Sequence, residues 1–392
     1  MAYDVSSWFL EQIQSQNPAP IVRQFLIGTS DYSERVAKWP KFEQRWDDIK
    51  PTTLTMKLAN EDQALNALRS DKTVLRATTS IKFGFTHQDS GDETVTLHSG
   101  RTSSVRYRGG AVDITVTDKF QQLGDRTIGS SDVPVEYIGS NYNPADLTWY
   151  FITSHGGYSA VESDSNPDID YTAWSEWRQI YTGNSVFVNA HIEGKKALEM
   201  VRKMGRYTTT AIFTKEGKIS FHRFGIGDAN VTSLTANEID DLTLEFSGED
   251  MVNKQSVYAD YSVESDYWKI NAVDEDTASV NSYGLSESTE KDKNIWYVNS
   301  VGALDMAQRE VIIRGVPFDK LKVKTFLQGF TRLVGETAHI SDGFHSIDGT
   351  FRIMGTEIDM ETARSTLTVD QSQYFGSFIL DTSSLNGADV LT

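Results

Sequence analysis

Asp164, Asn166, Asp168 and Asp170 stand two apart, in the order D-x-N-x-D-x-D. Hard oxygen ligands at alternate positions are how a calcium loop wraps its ion. The pattern then departs from such a loop. Ile169 sits where the loop needs Gly, Pro167 stiffens the turn, and Ser175 holds the place of the last glutamate, with Glu176 one residue late. The expectation is a plain acidic loop, with these four residues kept as a calcium candidate. Paired carboxylates suit glycoside hydrolysis, where one acid protonates the leaving group and the other attacks or activates water. Asp240 with Asp241, Glu249 with Asp250, and the run Asp274–Asp276 qualify by type, and Trp174 and Trp177 could line a sugar groove. Adjacent acids are common in a chain carrying 55 of them, so none is assigned a catalytic role.

The seven histidines (His87, His98, His155, His191, His222, His339 and His345) show no HxxxH or HxH spacing, and no HExxH motif occurs. There is no GxSxG elbow and no P-loop, and Gly225-Ile226-Gly227 does not continue into a dinucleotide fingerprint. No catalytic residue and no cofactor is therefore expected. The absence of cysteine removes disulfides, thiol nucleophiles and thiolate metal sites together. Stability then has to come from packing or from assembly with other copies.

Thirty-seven basic residues against 55 acidic ones give a formal charge of −18 over 392 residues. Affinity for DNA rests on Lys and Arg neutralising phosphates, so a free DNA-binding protein is disfavoured. From Asp228 to Asp266 ten acids face only Lys254, and Glu162 to Glu176 is purely acidic, whereas Arg101, Arg106 and Arg108 cluster in the first third. No run approaches the roughly 20 apolar residues that cross a bilayer. The start, MAYDVSSWFLEQIQSQ, lacks a basic n-region and a small-residue cleavage site.

The elements that would position these residues are mostly strands. Val5, Trp8, Phe9 and Ile13 give a short amphipathic helix within 1–16, either packed on its own domain or docked on a neighbouring copy, and Asn17-Pro18-Ala19-Pro20 breaks it. Between Ile21 and Gly139 six strands are expected: VRQFLIG, TLTMKLAN, ATTSIKFGF, ETVTLHSG, SSVRYRGG and AVDITVTDKF. A short helix is expected at Glu61–Ser70. The middle third holds a helix opened by Asn143-Pro144, another over Ile192–Met204, and a hairpin around Lys215-Glu216-Gly217-Lys218. The last third holds a strand over Gln255–Ser262, a helix over Val301–Arg314, and strands at Leu321–Leu327, Ala338–Ser341, Thr350–Met354 and Ser365–Val369. Six strands at short spacing suggest a β-barrel or small sandwich, and the fold class read from this is mainly β, with two β-barrel domains flanking a mixed helix–hairpin region. The divisions are 1–20, helix and linker; 21–140, first barrel; 141–250, α/β insertion; 251–375, second barrel with a helix; 376–392, tail.

This order of segments resembles the tail hub, or baseplate hub, family of tailed bacteriophages, relatives of the type VI secretion spike base. The likeness rests on Ala111–Asp118 as the strand closing a first barrel and on the helix-plus-hairpin unit of Gly194–Phe224. It also rests on Glu249–Tyr258 as the entry to a second barrel, the Ser279–Gly284 turn, and the strand pattern of Val323–Val369. The resemblance implies tail-tube-like barrels and a structural, non-enzymatic virion protein. It further implies a homotrimeric ring of six barrels joining a sixfold tail tube to a threefold tip, with an acidic channel through which DNA passes unbound. The partners implied are the tail tube, distal tail and tail-tip or spike proteins; the location is the virion tail, assembled in the host cytoplasm. With no lysozyme or needle module in this chain, spike and enzyme functions would lie on other chains. The alternatives are a distal tail or fibre-attachment protein, and a virion-associated carbohydrate hydrolase.

Overall fold

The computed structural model describes residues 3, 5–15, 18–46, 49–69, 71, 73–183, 186–223, 230–248, 250–316 and 318–371. Alternation sets the first sheet. In strand Thr53–Ala59 the inward Leu54, Met56 and Leu58 are buried and every residue between them is exposed, and Val112, Ile114 and Val116 repeat the pattern in Ala111–Thr117. Seven strands assemble in the order Ser30–Asp31, Ile21–Ile27, Thr78–His87, Gly91–Arg108, Ala111–Thr117, Thr53–Ala59, Val36–Lys38, all antiparallel. The two expected strands ETVTLHSG and SSVRYRGG are one 18-residue strand, Gly91–Arg108. The edge strands Ser30–Asp31 and Val36–Lys38 are consecutive in the chain. Antiparallel alternation makes them run the same way, so one bent segment borders both edges and the sheet curls toward closure.

The second curled sheet repeats this plan. Its path is Asn230–Thr235, Thr337–Asp342, Ile347–Asp359, Arg364–Gln371, Phe318–Thr325 and Ile239–Ser247. The outermost two are again consecutive and run the same way, one parallel to Thr337–Asp342 and the other antiparallel to Phe318–Thr325. The register matches in detail. Pairing of the long strand with its successor slips between Thr102 and Ser104 in the first sheet and between Ile353 and Gly355 in the second. The slip is followed in each case by one short stretch, Ser104–Arg108 or Gly355–Asp359, before the hairpin turn. The molecule is mainly β with two curled half-barrel sheets.

A mixed layer is built on the largest core. Helices α1 (Ser7–Gln14), α2 (Lys119–Asp125), α3 (Pro144–Tyr150), α4 (Tyr171–Tyr181), α5 (Ala197–Tyr207), α6 (Thr277–Tyr283) and α7 (Ser300–Arg314) occur in chain order. Short polar side chains start most of them: Ser6, Asp118, Asn143, Asp170, Asp276 and Asn299 each accept a backbone N–H of the first turn. α2, α3, α4, α5 and α7 supply Leu123, Leu147, Trp174, Met200, Met204 and Met306 to one cluster. It also contains the strands Val188–Ile192 and Ile295–Tyr297 and the hairpin Thr210–Lys215/Lys218–Arg223. α7 packs on a separate three-stranded sheet of Lys254–Ser262, Tyr267–Glu275 and Glu287–Glu290. α5 begins at Ala197, later than expected, because Val188–Ile192 is a strand.

Candidate functional site

The acidic loop is tied down by the protein itself. Asn166 is fully buried, donates to the carbonyls of Ser159 and Val161 at 3.0 and 2.8 Å, and accepts from the N–H groups of Asp168 and Ile169. Asp168 receives the Lys119 ammonium at 2.6 Å and the Ser159 N–H at 2.9 Å. Burial pushes its carboxyl up, but Lys119 and the Ser159 N–H outweigh it and hold the pKa low. Asp170 caps α4 and accepts from Ser220 Oγ, and Asp164 accepts from Thr172 Oγ1. The four side chains thus address four different sets of partners. No group of three or more His, Asp or Glu placed to hold a metal occurs among the described residues.

The carboxylate pairs are also engaged. Asp240 meets Arg364 at 2.9 Å and Asp241 meets Lys324 at 2.6 Å, both on an exposed face. The Lys324 hydrogen bond lowers the pKa of Asp241, and Lys320 does the same for Asp250, the opposite of what a general acid needs. Burial raises the pKa of Asp274, and Asp276 caps α6. Glu249, Gly225-Ile226-Gly227 and the tail 376–392 lie outside the described residues. Trp174 and Trp177 line no groove. They face inward on α4, 3% and 2% exposed, with Trp174 donating to the Ala145 carbonyl and Trp177 stacked on Phe221 at 5.1 Å. The expected acidic loop hides a helix at this point, because Ala173, Trp174, Trp177 and Tyr181 repeat at helical spacing.

The arrangement with most structural consequence is the seam between the two curled sheets. Strand Lys41–Arg45 follows the first sheet's bent segment but pairs with Gly355–Asp359 of the second. Phe42 is buried there, Gln44 donates to Thr214 at 2.9 Å, and Lys41 bridges to Asp359 at 2.9 Å. Sequence reasoning missed this strand, since KFEQR reads as a charged linker; the only signal was the lone aromatic at an alternating position. The second unit answers in kind. Leu327, Phe330, Leu333 and Val334, which follow its strand Phe318–Thr325, enter the first sheet's core, where the Phe330 ring lies 4.3 Å from Phe83. α1 also belongs to that core: Phe9 and Ile13 are buried, Phe9 lies 5.1 Å from Phe85, and Ser6 Oγ donates to Glu93 at 2.6 Å.

Two openings stand out, the first of them beside the seam at Arg45. One, of about 480 Å³, is lined by Arg45, Arg202, Arg206, Arg314 and Lys320 with Asp250, Glu310 and Asp370. Its charges are largely consumed internally, Arg314 on Glu310, Lys320 on Asp250 and Arg206 on Glu290. The other, a groove of about 1340 Å³, runs between the first sheet and α2 past Arg76, Arg101, Lys119 and Asp168. Neither brings a nucleophile and a base together.

No protein-family model and no curated protein matches the chain in sequence. Solved structures match it in shape. A tail protein from Neisseria meningitidis MC58 superposes with a TM-score of 0.58 at 12% identity, over 90% of this chain and 97% of that one. A 43 kDa tail protein of prophage MuSo2 from Shewanella oneidensis gives 0.56 at 12%, over 90% and 98%. The chain has the fold of phage tail proteins. A weaker likeness, TM-score 0.45 at 9% identity over 95% and 76%, is to the E. coli c3393 protein, a type VI secretion component. Among the described residues, no helix is long and apolar enough to cross a membrane.

Proposed function

We propose that the chain is a structural, non-enzymatic protein of a phage tail, and within the tail its hub. The observation that carries this reading is the internal repeat. Two curled sheets lie in one chain with the same order over their last five strands and the same register slip, the first carrying one more strand at its other edge. Three such chains present six equivalent sheets, which is what an adaptor between sixfold and threefold symmetry requires. The end-to-end likeness to two tail proteins supports the tail. A formal charge of −18 suits a wall past which DNA must move without adsorbing. On this reading the protein sits in the virion tail after assembly in the host cytoplasm, against the tube, distal tail and tip or spike proteins. Of the division drawn from the sequence, 21–140 is kept as the first barrel domain; the second is split, since its sheet takes Asn230–Thr235 and Ile239–Ser247 from within 141–250 and resumes at Phe318–Gln371, with Lys254–Arg314 joining the mixed layer and a separate sheet.

The test is the solution mass by light scattering over a dilution series. A stable mass near three times 43.9 kDa is the expected result. A sixfold mass would replace the hub with a distal tail or fibre-attachment ring. Purified protein is expected to turn over neither peptidoglycan nor capsule, and turnover that disappears in Asp241→Asn would restore the hydrolase.

A further inference from the structure

The repeat has one unequal point. In the second sheet, Thr337–Asp342 covers the long strand as far as Ile353, through the hydrogen bonds of Gly335 and Glu336 to it. From Met354 onward Lys41–Arg45 takes over, beginning with the Trp46 N–H on the Met354 carbonyl. In the first sheet, Thr78–His87 and its extension cover the long strand as far as Thr102, which exchanges hydrogen bonds with Arg76 and Ala77. Arg76 then turns away with φ +73°. Past that point Ser104–Arg108, the counterpart of Gly355–Asp359, pairs only with Ala111–Thr117 among the described residues. Its other side is an open edge.

The turn chemistry says which groups are free. Gly109 has φ +56° and the loop has two residues, so Arg108 and Ala111 form a hydrogen-bonded pair. Alternation along the ladder then points the N–H and C=O of Tyr107 and Val105 outward. Ser104, Arg106 and Arg108 are exposed along this edge. An unpaired edge is a template for another strand.

We propose that the Ser104–Arg108 edge is the docking site for an acidic edge segment of a second copy of this chain, added as a strand. This rests on the hub reading and names the surface through which copies join. The in-chain seam is the precedent, because there a strand from one repeat unit covers the same position on the other. Its charge code also predicts the reversal. At the covered edge a basic donor, Lys41, meets the acidic acceptors Glu357 and Asp359. At the open edge the acceptors are Arg106 and Arg108, the latter also 3.4 Å from Asp113 on the neighbouring strand, and the chain as a whole carries an excess of acid. Each unit would then cover the next head to tail, a heterologous contact that closes into a ring only if the rotation per step divides the circle.

The experiment combines Val105→Pro with a unique probe. Proline deletes an outward N–H and leaves the Ala111–Thr117 ladder in place, a substitution edge strands tolerate. Circular dichroism and thermal melting check that the variant folds, and Arg106→Glu/Arg108→Glu, which changes only exposed side chains, gives an independent variant. Both are expected to raise the midpoint concentration of self-association at least tenfold. Because the chain has no cysteine, Arg106→Cys carries a single maleimide–benzophenone, and irradiation of mixed ¹⁴N and ¹⁵N protein is expected to give mixed-isotope crosslinks onto an acidic segment. Assembly to a trimer that both variants leave unchanged, or that gives no mixed crosslink, overturns the docking edge and leaves the hub standing. A sixfold mass that both variants weaken keeps the edge and removes the hub. A monomer at every concentration overturns both.

Discussion

The two curled sheets share a backbone plan and differ in what fills them. The first encloses Phe25, Phe83, Phe85, Ile81 and Met56, is lidded by Phe9 and Ile13 of α1, and takes Phe330 from the other unit. Among the described residues the second encloses a smaller, mostly aliphatic set: Leu234, Leu321, Val323, Ile340, Ile353, Leu367 and Val369, with Phe351 the one aromatic. Burial of aromatic area dominates core energetics, so most of the stability belongs to the first sheet and to the layer beside it. The difference teaches that a repeat can persist in strand order and register after its two copies have divided the labour, one as anchor and one as a surface held by its neighbour.

Four measurements would break or sharpen that contrast. The largest effect is expected from Phe83→Ala, which empties the centre of the first core and the contact with Phe330. It should cost about 3–5 kcal/mol in urea unfolding. An equal loss from Phe351→Ala would erase the asymmetry.

Acid titration comes next, because two buried titratable groups of opposite sense sit in or beside the first sheet. Burial pushes His98 down to about 4, so its stabilisation is present above pH 6.5 and is lost as pH falls to about 4. Burial pushes Asp118 up to about 6 against the hydrogen bonds it accepts from the Thr52 and Gln121 N–H groups, so its cost is absent at pH 4 and builds as pH rises through 6. Between pH 4 and 6 the two slopes oppose. Asp118→Asn should remove the compensation and make stability fall by roughly 3 kcal/mol over that interval. An unchanged slope would refute the assignment.

Gln44→Ala removes a hydrogen bond from the seam strand to Thr214 and is expected to cost about 1 kcal/mol, read as earlier melting of the second sheet. Lys41→Ala breaks exposed ion pairs with Glu357 and Asp359 and should change stability by less than about 1 kcal/mol. A larger loss would mean that charge, not Phe42, holds the seam.

The sequence made the long strands of the first sheet legible, because Leu54-Met56-Leu58 and Val112-Ile114-Val116 alternate without interruption, but it split Gly91–Arg108 in two and gave no sign of the short edge strands Ser30–Asp31 and Val36–Lys38. α5, α7 and the hairpin at Lys215–Lys218 were legible for the same reason, through apolar stripes and turn residues. Three more things were hidden. In Tyr267–Glu275 the alternation is blurred by apolar residues on the outward face, as exposed Tyr267 and Val273 show. α4 was masked by the acidic run that leads into it, Glu176 being the one acid on the helix itself. The seam could not be read, since pairing partners more than 300 residues apart leave no local trace. The candidate chemistry was legible only as residue types; that Asn166 would be spent on four backbone groups needed the fold.

Lys41–Arg45 imposes a schedule on synthesis. At roughly 5–20 residues per second, its partner Gly355–Asp359 leaves the ribosome on the order of 15–60 s after it. During that interval a strand with a buried aromatic has no ladder to join, while the first sheet around it is already complete in sequence. Newly made chains therefore pass through a state in which the strand has no ladder and the first core still lacks Phe330, and at high local concentration on a polysome the nearest substitute acceptor is a sibling chain.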